Sequence, residues 1–153
     1  MIRDFITSAI FTLAAVLATT LVVAAQRPTV ADLDALRTEL RPLLDAIRQV
    51  ESNNNDDATG DDGNAIGAYQ IWRSYWQDAT DWCTTLEGDY ESVRVRVYAE
   101  RIVVAYWHRY ARQAIRDGDY ETLARIHNGG PRGAKKQATV GYWKRVEEAL
   151  RAD

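Results

Sequence analysis

From Val30 to Ala149 the apolar residues of this chain recur at three- and four-residue spacing, the period of a helix buried on one face. Thr29 is a good N-cap, and Val30, Leu33, Leu36 and Leu40 follow it as one stripe. Pro42 breaks a helix interior but suits a helix start, so a second helix is expected from Arg41 or Pro42. Leu43, Leu44, Ile47 and Val50 give that helix its apolar face, which runs out at Glu51-Ser52. Helical spacing resumes from Gly67 through Tyr69, Ile71, Trp72, Tyr75 and Trp76. The longest helix is expected over Glu91 to Asp117, a short one from Asp119 or Tyr120 to Ile126, and the last over Thr139 to Ala149. The pattern predicts a mainly helical single domain, α+β at most, with no more than a small hairpin near residues 55–66.

Between the second and third stripes lies a polar loop, Asn53 to Gly63, built from Asn, Asp and Gly turn formers. Residues 51–72 hold five carboxylates, Glu51, Asp56, Asp57, Asp61 and Asp62, before the first Lys or Arg at Arg73. Glu51, at the end of an apolar-faced helix, can sit half against hydrophobic walls and half in a cleft. Burial and neighbouring negative charge both disfavour its ionised form, which lets a carboxyl hold a proton near neutral pH. Two carboxyls whose surroundings push their proton affinities apart are the arrangement that cleaves a glycosidic bond. The plain alternative is a solvated acidic turn. An EF-hand is excluded, because the twelfth position counted from Asn55 is Ile66 rather than glutamate.

Residues 1–25 differ from the rest. Phe5 to Ala25 is a 21-residue uncharged run ending in Val23-Ala24-Ala25, small residues of the kind found before a signal-peptidase cut. The same length suits a retained membrane helix. The chain is therefore expected to be exported, periplasmic or secreted, with residues 1–25 as signal peptide or anchor and residues 26–41 as a helical extension. Residues 42–153 are expected to form the catalytic domain. A net charge of −3 argues against nucleic acid as a partner. One cysteine, Cys83, cannot build a multi-cysteine zinc site or an intrachain disulfide, and two histidines are too few for most histidine-based metal centres, so no metal is expected beyond non-specific calcium on the acidic loop.

Two segments resemble a known family. Val50-Glu51-Ser52, the acidic loop and Ile66-Gly67-Ala68-Tyr69-Gln70-Ile71 are similar to the catalytic region of the lysozyme superfamily. Ile126-His127-Asn128-Gly129-Gly130-Pro131, followed by Gly141-Tyr142-Trp143, resembles the C-terminal signature of invertebrate-type lysozymes and destabilases, as does the Tyr75-Trp76 pair. The similarity runs over residues 43–146. It implies a lysozyme-like domain that hydrolyses the β-1,4 bond between N-acetylmuramic acid and N-acetylglucosamine in peptidoglycan glycan strands, without a cofactor. Glu51 matches the family's general acid, and Asp61 best matches its second carboxylate. Asp62 is a close rival, because this loop is one residue shorter than the family's. A retaining reaction requires the two carboxyls about 5–5.5 Å apart. Ile66 and Ala134 stand where the family carries cysteines, so the hydrophobic core must hold this chain together.

Other residues carry two readings each. Tyr69, Trp72, Tyr75 and Trp76 have flat faces for sugar rings, yet at helical spacing they read equally as core. Gln70, His127 and Asn128 match positions that line the family's sugar site, while His127 to Pro131 also reads as a helix C-cap. His108, beside Trp107, reads as structural. Arg132, Lys135 and Lys136 form a basic segment that can attract an anionic glycan or simply face water. Two other functions stay open: a lytic transglycosylase using Glu51 alone, and a catalytically silent wall-binding domain.

Overall fold

The computed structural model describes residues 26–152; the leader expected over residues 1–25 lies outside them. Helix α1 spans Val30–Glu39 and is capped by Thr29, whose hydroxyl accepts the Asp32 N–H while Asp32 reaches back to the Thr29 N–H. Helix α2 follows at once over Arg41–Ser52, with Pro42 in its first turn and Asn53 in the left-handed region at its end. Three two-residue strands form a small antiparallel sheet in the order β1 (Thr59–Gly60), β2 (Ala65–Ile66) and β3 (Ile71–Trp72). Helix α3 covers Arg73–Trp82, α4 Arg96–Tyr110, α5 Arg112–Asp117, α6 Tyr120–Gly129 and α7 Val140–Ala152. The fold is mainly helical, as the spacing predicts.

Three expectations need correction. The stripe from Gly67 does not start a helix. Gly67 lies at φ +78° and Gln70 at φ +46°, so the chain turns between them, and Ile66 pairs with Ile71 and Ala65 with Trp72. The single hairpin is thus a three-stranded sheet, and α3 begins only at Arg73. A side chain at Gly67 would meet the Val93 carbonyl at 2.6 Å, so only glycine fits this close approach. The long helix expected over 91–117 is interrupted twice. Residues Tyr90–Arg94 form a 3-10 turn capped by Asp89, Val95 is extended, and Ala111 breaks the helix again at φ −142°.

Helix α4 is the central element: every residue from Tyr98 to Trp107 except Arg101 is buried. Helices α1, α3 and α6 pack around it, while α7 packs on α2 and α6. Fully buried Leu33 inserts α1 into the same core. A second tie is ionic. Glu100 of α4, 1% exposed, accepts Arg37 Nη2 of α1 at 2.6 Å, Arg41 Nη1 of α2 at 2.7 Å and Arg96 Nε at 2.9 Å. Burial alone would raise the Glu100 carboxyl, but the guanidiniums of Arg41, Arg37 and Arg96 outweigh it and hold it down at about 2. A buried carboxylate with three cationic partners fixes how three helices meet, whatever its net contribution to stability.

Candidate active site

Helix α2 ends where the sheet begins, and that junction builds a cleft of about 440 Å³. Ser52 joins the two: its hydroxyl donates to the Ala68 carbonyl at 2.9 Å and accepts the Asn55 N–H at 3.0 Å. Among the described residues, five that are not glycine have positive φ: Asn53, Asn54, Asp61, Asp62 and Gln70. All five belong to the loop and turn beside the cleft. Asn and Asp tolerate this conformation, whereas Gln70 is a true outlier, of the kind that concentrates where function constrains the backbone.

The cleft brings together Glu51, Asp61, Gln70, Tyr75, His127 and Asn128 from widely separated parts of the sequence. Trp72, Ser74, Asp78, Tyr106, Gly130 and Pro131 complete its walls. Three expected residues are not part of it, and one is Trp76, half-buried with its indole N–H donating to the Tyr98 hydroxyl at 3.0 Å. Asp62 is exposed and does not line the cleft. Tyr69 is a core residue: fully buried, it donates its phenol hydrogen to Glu100 Oε1 at 3.1 Å. It serves the cleft only through its carbonyl, which meets His127 Nε2 at 3.2 Å.

Glu51 occupies the last turn of α2 with its side chain 17% exposed. Burial pushes its carboxyl up to about 7; nearby Asp61 pushes the same way, and Tyr142 and Arg145 oppose them. The Tyr142 hydroxyl is buried beside Glu51 and completes no hydrogen bond of ordinary geometry. We therefore read the pair as adjacent but misaligned, with the carboxylate as the phenol's natural acceptor.

Asp61 sits on the 3-10 turn between β1 and β2, and its Oδ2 accepts the Trp72 indole N–H at 3.1 Å. His127 closes the opposite side. Its Nδ1 faces the Tyr75 hydroxyl at 3.2 Å, and its Nε2 lies 3.6 Å from Glu51 Oε1. Burial pushes the imidazole down to about 4, so it is neutral through the weakly acid range. Tyr75 stacks on Tyr106 with ring centroids 3.7 Å apart, which fixes the hydroxyl that holds His127. The His-Asn-Gly-Gly-Pro segment ends α6 at Gly130, φ +78°, and places His127 and Asn128 in the cleft wall.

Sequence reasoning gave no role to Tyr142, although Gly141-Tyr142-Trp143 belongs to the motif that carries the resemblance. Trp72 was legible only as one aromatic among four. His108 accepts the Trp82 indole N–H at 3.1 Å, and Cys83 is buried against the Pro28 carbonyl, both outside the cleft.

Known proteins are similar to this chain in sequence and fold. The family model described as Destabilase matches residues 41–149. Lysozyme 1 of Crassostrea virginica is 40% identical over 85 residues, which are 55% of this chain and 44% of that protein. The chain thus spans less than half the length of this relative. Invertebrate-type lysozyme 6 of Caenorhabditis elegans is 34% identical over 113 residues, covering 68% of this chain and 82% of that protein. The solved structure of Tapes japonica lysozyme superposes with a TM-score of 0.60 at 26% identity, over 71% of this chain and 88% of that one. The family match spans both segments that build the cleft, the helix end with its loop and the His-Asn-Gly-Gly-Pro turn, and the chain belongs to the destabilase family of invertebrate-type lysozymes.

Proposed function

We propose that the chain is a muramidase that hydrolyses the β-1,4 bond between N-acetylmuramic acid and N-acetylglucosamine in peptidoglycan. The observation that carries this reading is Glu51, a carboxyl that keeps its proton to about pH 7 in a cleft that also holds Asp61. Relatives named lysozyme support the same substrate class.

Glu51 gives its proton to the glycosidic oxygen as the bond to the sugar's anomeric carbon breaks. The Asp61 carboxylate bonds to that carbon from the other face. Glu51, now ionised, takes a proton from water as the water displaces Asp61, which restores both carboxyls and retains configuration. Asp61 is preferred to Asp62 because it lines the cleft and Asp62 does not. Gln70 and Asn128 are polar contacts for the sugars, while Tyr75 acts through the imidazole it holds. Residues 42–153 carry this activity, with residues 26–41 as an added helix.

We also propose export directed by residues 1–25. Among the described residues, no helix is long and apolar enough to cross a membrane.

Mass spectrometry of digested peptidoglycan tests the reaction. Reducing N-acetylmuramic acid ends are expected. Termini with a 1,6-anhydro ring overturn the hydrolase in favour of a lytic transglycosylase using Glu51 alone. Intact strands, from protein that still binds them, leave a wall-binding domain.

A further inference from the structure

Three large apolar side chains stay exposed among the described residues: Trp72, Val95 and Val97. Trp72 alone lines the cleft. It stands on β3 opposite Ala65 with 47% of its surface in water, and the burial that fixes the other cleft aromatic side chains, Tyr75 and Tyr106, does not account for it. An indole has an apolar face and one polar handle, and here the two are used differently. The handle is committed, because the N–H donates to Asp61 Oδ2 at 3.1 Å. Among the described residues this is the hydrogen bond that holds the Asp61 side chain, which has no ion-pair partner. The face remains free and open to the cleft.

We propose that Trp72 does two things in one side chain. Its exposed face is the platform on which one pyranose of the glycan strand stacks, and its indole N–H orients the Asp61 carboxylate toward that sugar. The C–H face of a pyranose is apolar and flat, which matches the half-exposed indole ring. Stacking and carboxylate aim are therefore set together by the rotamer of Trp72. This inference rests on the glycan reading of the cleft, and it adds a subsite and a positioning residue to it.

Two substitutions separate the roles. Trp72→Phe keeps a stacking face and removes the N–H; Trp72→Ala removes both. Binding is read by calorimetry with the N-acetylglucosamine tetramer in a Glu51→Gln background, where turnover cannot interfere. Trp72→Ala is expected to weaken binding at least tenfold, and Trp72→Phe less than threefold. With Glu51 intact, Trp72→Phe is expected to lower kcat on peptidoglycan about tenfold at nearly unchanged KM, whereas Trp72→Ala changes both. Circular dichroism checks that both variants fold, which the exposure of Trp72 favours. If Trp72→Ala binds as tightly as its parent, the platform is overturned and the glycan reading stands. If Trp72→Phe keeps full kcat, the orienting bond is overturned. A parent protein that binds no tetramer overturns the subsite together with the glycan reading.

Discussion

The His127 Nε2 lies 3.6 Å from Glu51 Oε1, yet its hydrogen belongs to the Tyr69 carbonyl. A carbonyl only accepts, so Nε2 carries the hydrogen and Nδ1 is the bare nitrogen that accepts from the Tyr75 hydroxyl. The usual order of proton affinity is inverted: histidine is held near 4 and glutamate near 7. The proton therefore rests on the carboxyl, where a general acid needs it.

The catalytic pH profile should reflect this. Glu51 must be protonated to act, so kcat/KM should hold up to about pH 7 and then fall about tenfold per pH unit. Tyr142 and Arg145 favour the ionised carboxylate, so Tyr142→Phe and Arg145→Gln should each move the alkaline limb to higher pH. Glu51→Gln should cost about 10²–10⁴ in rate at every pH. A limb that stays in place in both variants would show that Glu51 is not the group titrating.

The two neighbouring aspartates should separate cleanly. Asp61→Asn is expected to reduce wall-clearing activity at least a hundredfold, while Asp62→Asn stays within about threefold of wild type. Turbidity assays on both purified variants decide it. Equal losses would mean that the loop, rather than one carboxylate, is what matters.

Stability should show two opposed pH slopes. The Glu51 carboxyl titrates near 4.5 when unfolded and near 7 when folded, so its contribution is lost as pH rises between those values. The His127 imidazole titrates near 6.5 when unfolded and near 4 when folded, so its contribution is lost as pH falls between those values. Between about pH 4.5 and 6.5 the two offset each other. Glu51→Gln should leave a Tm that rises with pH across that window, and His127→Gln one that falls, each by up to about 1.4 kcal/mol per pH unit in stability. Identical slopes in both variants would remove the basis for the inverted pair.

The ionic tie in the core should be costly to break. Glu100→Gln leaves the Arg37, Arg41 and Arg96 guanidiniums around a neutral amide, a loss of about 3–5 kcal/mol by denaturant unfolding. In the wild type, Glu100 is held down at about 2, so its stabilisation is complete above about 4.5 and disappears as pH falls toward 2. The variant should lack that acid-sensitive step. Equal denaturation midpoints would show the cluster to be dispensable.

What the sequence makes legible follows from how local each signal is. Thr29, Pro42 and the apolar stripes act over one or two turns, so α1, α2 and the place of Glu51 at a helix end can be read directly. The sheet was hidden because Tyr69, Ile71, Trp72 and Tyr75 keep a helical spacing, while the backbone at Gly67 and Gln70 turns away from a helix. The breaks at Val95 and Ala111 bear no proline or glycine to announce them. Glu100 looked like one charge on a long helix, because its partners Arg37 and Arg41 lie 63 and 59 residues away. Tyr142 reaches Glu51 from α7, a relation that no local pattern encodes.

The way α1, α2 and α4 are fastened has a consequence for where this fold can be made and used. The family resemblance implies cysteines where Ile66 and Ala134 stand, whereas this chain has one thiol, Cys83, and joins its helices through Glu100 and three arginines. Such a fastening has no redox state. It forms as soon as the helices meet and ignores reductants such as glutathione. Its one chemical weakness is strong acid, because the Glu100 carboxylate is lost only as pH falls below about 4.5 toward 2, so acid rather than a reductant is what loosens this tie.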